Sequence, residues 1–249
     1  MADRAVLVTG ASRGIGRATA LAFAEIGDRV AIHHRDSEEL ARQLLAELPG
    51  AGHVVVRGDL SDPVQARRLV EAAASQLGGL EVLVNNAGVS LLHDITEMDF
   101  EEWRNAFDRT VAVNLSGAAY VTYFAVRHML GRGGAIVNVS SRGAFRGEPG
   151  QPGYGASKAA LNAFGQSLAV ALAPHGISVS TVAPGWVRTD MSNEELKRPR
   201  GSEILAQSPF HRIAEPQEVA AAIVFLASDQ ARFASGSILD VNGASYLRT

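Results

Sequence analysis

Tyr154 and Lys158 stand four residues apart in the run Tyr154-Gly155-Ala156-Ser157-Lys158, which heads an apolar-periodic stretch reaching Pro174. On a helix this spacing puts both side chains on one face, one turn apart. A phenol beside an ammonium makes an acid that works near neutral pH, because a neighbouring positive charge favours the phenolate. Free tyrosine gives up its proton only near pH ~10, and bringing that into the neutral range asks roughly 3–4 kcal/mol of Lys158 and its surroundings. The same two residue types also occur as an ordinary exposed pair at a helix start. The pair therefore gains weight only if the rest of the chain brings a redox partner to it.

A second constellation supplies that partner. Thr9-Gly10-Ala11-Ser12-Arg13-Gly14-Ile15-Gly16 lies between an apolar run and a helical one. Glycines in a strand–turn–helix let the backbone approach a pyrophosphate, which rests on the free N–H groups of the helix N-terminus. The spacing is G-x-x-x-G-x-G rather than G-x-G-x-x-G, so the general dinucleotide fingerprint is met in part. The second apolar run ends His33-His34-Arg35, with no carboxylate before Asp36. Arg13 and Arg35 converging on the adenosine ribose would suit its extra phosphate through bidentate bonds, and this predicts NADP(H) in preference to NAD(H). The alternative is two solvated arginines, with Asp36 holding the ribose.

The elements that must position these groups read as strand then helix, repeated. Strands are expected at 4–9, 29–34, 53–57, 80–84, 135–140, 177–182 and 237–241, and helices at 15–27, 37–48, 63–77, 99–130, 154–173 and 216–228. Strands without polar alternation, joined by helices, mean a parallel sheet covered on both faces. The fold class is accordingly α/β: one doubly wound (Rossmann) domain over 1–249, of about seven strands. The stretch 185–213 is polar, proline-bearing and weakly periodic, and reads as a substrate lid. Met191, Leu196, Ile204 and Phe210 would give that lid an apolar lining, or pack it down.

Of 249 residues, 47% are hydrophobic and the net charge is −3, which gives no global reason to expect nucleic acid as a partner. Cysteine is absent, which excludes disulfides and thiolate metal sites and fits a reducing compartment. The seven histidines show no ligand spacing, so no metal is expected. No signal-like opening and no spanning apolar run are evident, and a cytoplasmic protein without a membrane partner is expected.

Further motifs make the chain resemble the short-chain dehydrogenase/reductases over nearly its whole length. Besides the glycine turn and the Tyr-Lys pair, it carries Asn85-Asn86-Ala87-Gly88 after the fourth strand. Asn114 lies in Val113-Asn114-Leu115-Ser116-Gly117, Ser141 thirteen residues before Tyr154, and Pro184-Gly185 after the sixth strand. The resemblance implies a catalytic set of Asn114, Ser141, Tyr154 and Lys158. Tyr154 would protonate a carbonyl oxygen that Ser141 also binds. Lys158 would hold the nicotinamide ribose and depress the Tyr154 pKa, and Asn114 would hold a water linking Lys158 to solvent. Ser141 could instead form a turn, with Ser140 as the contact, and Asn114 could be a plain helix-interior asparagine.

The resemblance further implies cofactor contacts at Gly10, Ser12, Arg13, Gly14, Ile15, Gly16, Arg35, Asp59, Leu60, Asn86, Ala87, Gly88, Pro184, Gly185, Val187 and Thr189. For Asp59 a helix-cap reading competes, next to Ser61-Asp62-Pro63. Two departures stand out. Trp103 and Asn114 are about one helical turn further apart than the family pattern, as if by an insertion around 104–107. The last strand ends Leu239-Asp240-Val241-Asn242-Gly243-Ala244 rather than in Asp-Gly-Gly.

The pattern is closest to 3-oxoacyl-(acyl-carrier-protein) reductases of fatty acid biosynthesis, which implies a 3-oxoacyl thioester, carried by acyl carrier protein. In that group two arginines near the site entrance steer the carrier; Arg132 fills one position but His175 the other, a weaker handle. A carbonyl, sugar or quinone reductase, or a secondary-alcohol dehydrogenase, is the alternative, and a non-enzymatic dinucleotide-binding regulator a more distant one. Apolar residues on the helices at 99–130 and 154–173 (Ala118, Ala119, Tyr120, Tyr123 and Phe124; Leu161, Phe164, Leu168 and Leu172) exceed one core-facing stripe. A homotetramer or homodimer paired through these helices is expected.

Overall fold

Seven strands rich in valine, isoleucine and alanine form one sheet, in a computed structural model that describes residues 3–197 and 201–248. They are β1 (Ala5–Val8), β2 (Arg29–His34), β3 (Val54–Arg57), β4 (Val82–Asn85), β5 (Gly134–Val139), β6 (Ile177–Pro184) and β7 (Ile238–Val241). All pairs are parallel, in the order β3-β2-β1-β4-β5-β6-β7. Strands β1 and β4 are buried along their whole length, which is why they show no polar alternation.

The faces are covered by α1 (Gly14–Glu25), α2 (Glu38–Glu47) and α9 (Pro216–Leu226) on one side. On the other lie α3 (Pro63–Leu77), α5 (Ala118–Met129) and α6 (Pro152–Leu172). Phe23, Leu44 and Ile223 anchor the first layer, and Leu69, Leu77, Val121 and Met129 the second. Burying such side chains stabilises the fold by about 1.5–3 kcal/mol each.

The expected helix over 99–130 is present with an irregularity. Asp99 caps α4 (Phe100–Val111) by accepting from Glu102 N at 2.9 Å, and a π-helical turn, Ala112–Gly117, joins α4 to α5. The 104–107 stretch lies inside the unbroken α4; there Trp103 and Phe107 stack at 5.0 Å, and Phe107 packs on Gly153. The proposed lid is helical: α7 (Asp190–Lys197) and α8 (Gly201–Ala206) replace the expected irregular stretch. Their short length and low apolar content hide a helical period. The chain reverses direction across the sheet between β1 and β4, so a crevice opens at the carboxyl ends of those strands.

Candidate active site

Tyr154 occupies the first turn of α6, with Lys158 one turn on, its ammonium 5.9 Å from the phenol ring centroid. Lys158 is buried and donates to Val139 O at 2.8 Å. Ser141 leaves the end of β5 and caps a short 3-10 turn, its Oγ accepting from Gly143 N at 3.0 Å while its side chain hydrogen-bonds the Tyr154 hydroxyl. Ser140 turns the other way and donates to Lys158 O at 3.2 Å. Of the two serines it is therefore Ser141 that faces the phenol.

Asn114 sits in the π turn, and its amide is held firmly. Nδ2 donates to Val89 O (2.9 Å) and Ser157 Oγ (3.1 Å), and Oδ1 accepts from Val89 N (2.8 Å). These bonds are the local reason for an asparagine inside a helix. Asn114 Oδ1 and Lys158 Nζ both border Gly88, 3.3 and 3.4 Å from where its Cβ would be. Ser141, Tyr154, Lys158 and Asn114 thus converge from β5, α6 and the π turn.

Beside this cluster lies a cradle that fits a dinucleotide. Gly10 adopts φ +63°, and a Cβ there would fall 2.9 Å from Ala87 Cα; a Cβ at Gly16 would collide with Gly10 O and Asn86 Nδ2. Arg13 stands at the N-cap of α1 in extended conformation with no side-chain cap, which leaves the first N–H groups of the helix free for an anion. Asn86 ties the β4 loop to the turn, its Nδ2 donating to Thr9 O (2.9 Å) and Gly10 O (3.0 Å). Thr189 closes against Gly14, 3.1 Å from a Cβ there, while Val187 is buried and bridges to Ala214. Gly185 passes 3.1 Å from Asn242 Cα, and Pro184 ends β6.

Several candidate residues are already engaged. Arg35 pairs with its neighbour Asp36, whereas Arg13 is exposed and its guanidinium makes no bond among the described residues. Asp59 accepts from Ser61 N (3.0 Å), Ser61 Oγ (2.7 Å) and Arg109 NH2 (3.0 Å). The helix cap is Asp62, which accepts from Val64 N and Gln65 N. Leu60 is buried against Gly117. In the lid, Ile204 and Phe210 line a cavity of about 210 Å³ with Trp186 and Asn242; neither Tyr154 nor Ser141 lines it. Leu196 is half-buried, and the side chain of Met191 lies outside the described residues.

Titration behaviour departs from the expectation drawn from the Tyr-Lys spacing. Burial pushes the Tyr154 phenol above its ordinary value; the Ser141 hydrogen bond pulls down, and the Glu148 carboxylate pushes up again. Burial also draws Lys158 down to about 8. Its ammonium points at the Val139 carbonyl, so at 5.9 Å from the ring it does not offset the desolvation of the phenol.

The matches to known proteins fall on this architecture. Residues 10–244 match the family model described as Enoyl-(Acyl carrier protein) reductase. The chain is 41% identical to L-rhamnose 1-dehydrogenase (NAD(P)(+)) of Azotobacter vinelandii, covering 98% of this chain and 97% of that one. It is 37% identical to 3-oxoacyl-[acyl-carrier-protein] reductase of Staphylococcus aureus, covering 98% of each. A short chain dehydrogenase from Burkholderia cenocepacia in complex with NADP superposes with a TM-score of 0.89 at 33% identity, over 98% of each chain. The chain belongs to the short-chain dehydrogenase/reductase family.

As a member of that family it is an NAD(P)-dependent oxidoreductase acting on CH–OH and C=O groups. Three positioning groups in this short-chain dehydrogenase/reductase carry no signal in residue spacing. His33 accepts from Gly10 N at its Nδ1 (3.0 Å) and reaches Gly58 O with Nε2 (3.0 Å), tying the glycine turn to β2 and the β3 loop. His93 is buried, accepts from Gly153 N at 2.8 Å, and packs edge-on to Trp103 and Phe107 behind the start of α6. Glu148 leans over Gly143 beside Ser141. A hint was available for the first: two adjacent histidines are out of place in an otherwise apolar buried strand.

Proposed function

We propose that the protein interconverts a hydroxyl and a carbonyl on a small hydroxylated, sugar-like substrate, using NADP(H) in preference to NAD(H). The observation that carries this reading is the convergence of the Tyr154 phenol, Ser141 Oγ and Lys158 Nζ at one edge of the dinucleotide cradle. A bound nicotinamide supplies or takes up hydride there. In reduction Tyr154 gives its proton to the carbonyl oxygen, and in oxidation it takes the hydroxyl proton back. Gly143 N fills one lone pair of Ser141 Oγ, and the Ser141 O–H, which meets the Tyr154 hydroxyl, would turn to the reacting oxygen when substrate is bound. Lys158 spends one of its three donors on Val139 O, and the others would hold the nicotinamide ribose. Asn114 Oδ1 keeps a lone pair for a water that returns protons to Lys158.

The sugar-like substrate has two supports. The relative with 41% identity is named for L-rhamnose, and two polar groups, Ser141 and Glu148, act on the Tyr154 phenol. The 3-oxoacyl thioester reading rests on the relative with 37% identity and on the run from Phe210 to Ser228. Against it, Arg132 and His175 follow the carboxyl ends of α5 and α6, and α6 has 21 residues, placing His175 roughly 30 Å from Tyr154 within one chain. Preference for NADP(H) is supported by the free Arg13 guanidinium. Self-association into a homodimer or homotetramer is part of the same reading.

The test is nucleotide reduction or oxidation across neutral sugars, simple alcohols and acetoacetyl thioesters. Tyr154→Phe should lose about 10²–10⁴-fold in kcat with the nucleotide Kd little changed. Arg13→Ala should weaken NADP+ but not NAD+. A Tyr154→Phe variant of undiminished rate would refute the site.

A further inference from the structure

Glu148 lies in the loop between the Ser141 turn and α6. Its carbonyl accepts from Gln151 N at 2.9 Å, and its side chain folds back over Gly143. A Cβ at Gly143 would stand 3.1 Å from Glu148 Cγ, 3.2 Å from Oε1 and 3.3 Å from Ser141 Oγ. The carboxylate and the Ser141 hydroxyl therefore share the space that Gly143 leaves empty. Glu148 is half-buried, yet no hydrogen bond or ion pair among the described residues uses its carboxylate. The Arg142 guanidinium, which feels its charge, is itself committed to Ser245 Oγ at 2.8 Å.

We propose that Glu148 receives a substrate hydroxyl next to the reacting carbon, and so selects neutral polyhydroxylated substrates over anionic ones. This rests on Tyr154 being the acid/base. A partly desolvated carboxylate without donors costs free energy, which a substrate O–H repays and an apolar substrate does not. An anionic substrate placed there would meet like charge. The groups facing the phenol are Ser141, Glu148 and Lys158, with His93 behind Gly153; Glu148 opposes phenolate formation. A residue that only shaped the loop would need no charge at this point. Its presence hinders oxidation unless a substrate hydroxyl shares that charge.

The experiment compares the protein with E148Q, both saturated with NADP+, on neutral sugars (L-rhamnose, D-glucose) and on cyclohexanol near neutral pH. For E148Q, kcat/KM on the sugar that turns over best should fall at least ten-fold, and on cyclohexanol it should rise, its pH profile moving to lower pH. In the unmodified protein, 2-deoxy-D-glucose should be at least ten-fold poorer than D-glucose, and E148Q should erase that difference. Changes of the same sign on both substrates, an unmoved pH profile, or a best substrate that is 3-hydroxybutyryl-CoA overturns the proposal. If Tyr154→Phe is inactive while E148Q shows no crossover, only the role of Glu148 fails. If Tyr154→Phe stays active, the reading beneath it fails.

Discussion

Tyr154 and Lys158 share a helix face, as four-residue spacing requires, but spacing alone does not make the phenol acidic. Burial raises it, Glu148 raises it further, and Lys158 is occupied by the Val139 carbonyl. The protein without nucleotide should therefore hold Tyr154 as a protonated phenol, ready to donate. Near-ultraviolet difference absorbance against Tyr154→Phe should show no phenolate step between about pH 6 and 9. A step near neutrality would show that the lysine suffices by itself. Lys158, drawn to about 8, keeps its charge at neutral pH and sheds it in mildly alkaline solution.

At the level of elements, two histidines hold loops that must not move. His33 serves as acceptor for Gly10 N and reaches Gly58 O, and burial brings its pKa to about 4 from 6.5. Above pH 6.5 the imidazole is neutral in both folded and unfolded chains, and the stability it contributes is complete. As pH falls from 6.5 towards 4 only the unfolded chain gains the proton, so stability drops by about 3 kcal/mol across that window. Urea midpoints should fall accordingly, and His33→Asn, which keeps an acceptor for Gly10 N, should flatten that slope. At α6, a Cβ on Gly153 would meet His93 Nε2 and Phe107 Cδ2 at 2.8 Å each. Gly153→Ala should cost about 1–3 kcal/mol in a thermal melt and lower kcat at least ten-fold through the displaced Tyr154, with the nucleotide Kd little altered. The histidine contacts could not be seen in the sequence, because His33 and His93 reach residues 23 to 60 positions away. The catalytic candidates were legible because Tyr154 and Lys158 lie within one helical turn and the glycine turn is local.

For the whole molecule, the strand–helix alternation was readable because buried parallel strands are apolar at most positions, with few charged residues between them. Helices α7 and α8 were not, being too short to show a period. Ala118, Leu161 and Leu172, expected on a seam between copies, are spent inside the fold, but Tyr123 on α5 and Val170 on α6 remain 62% and 79% exposed. A second apolar face surrounds the edge strand β7: Phe225, Leu239 and Leu247 are exposed, and Phe233 is fully so. Two separate apolar faces on one chain suit two different two-fold contacts, hence a tetramer with dihedral symmetry. Light scattering at micromolar concentration should give a tetramer for the unmodified protein. Val170→Asp and Phe233→Asp should each reduce it to a dimer, and together to a monomer, since a buried unpaired carboxylate is costly at either face. A monomeric unmodified protein would leave both faces unexplained and overturn the assembly.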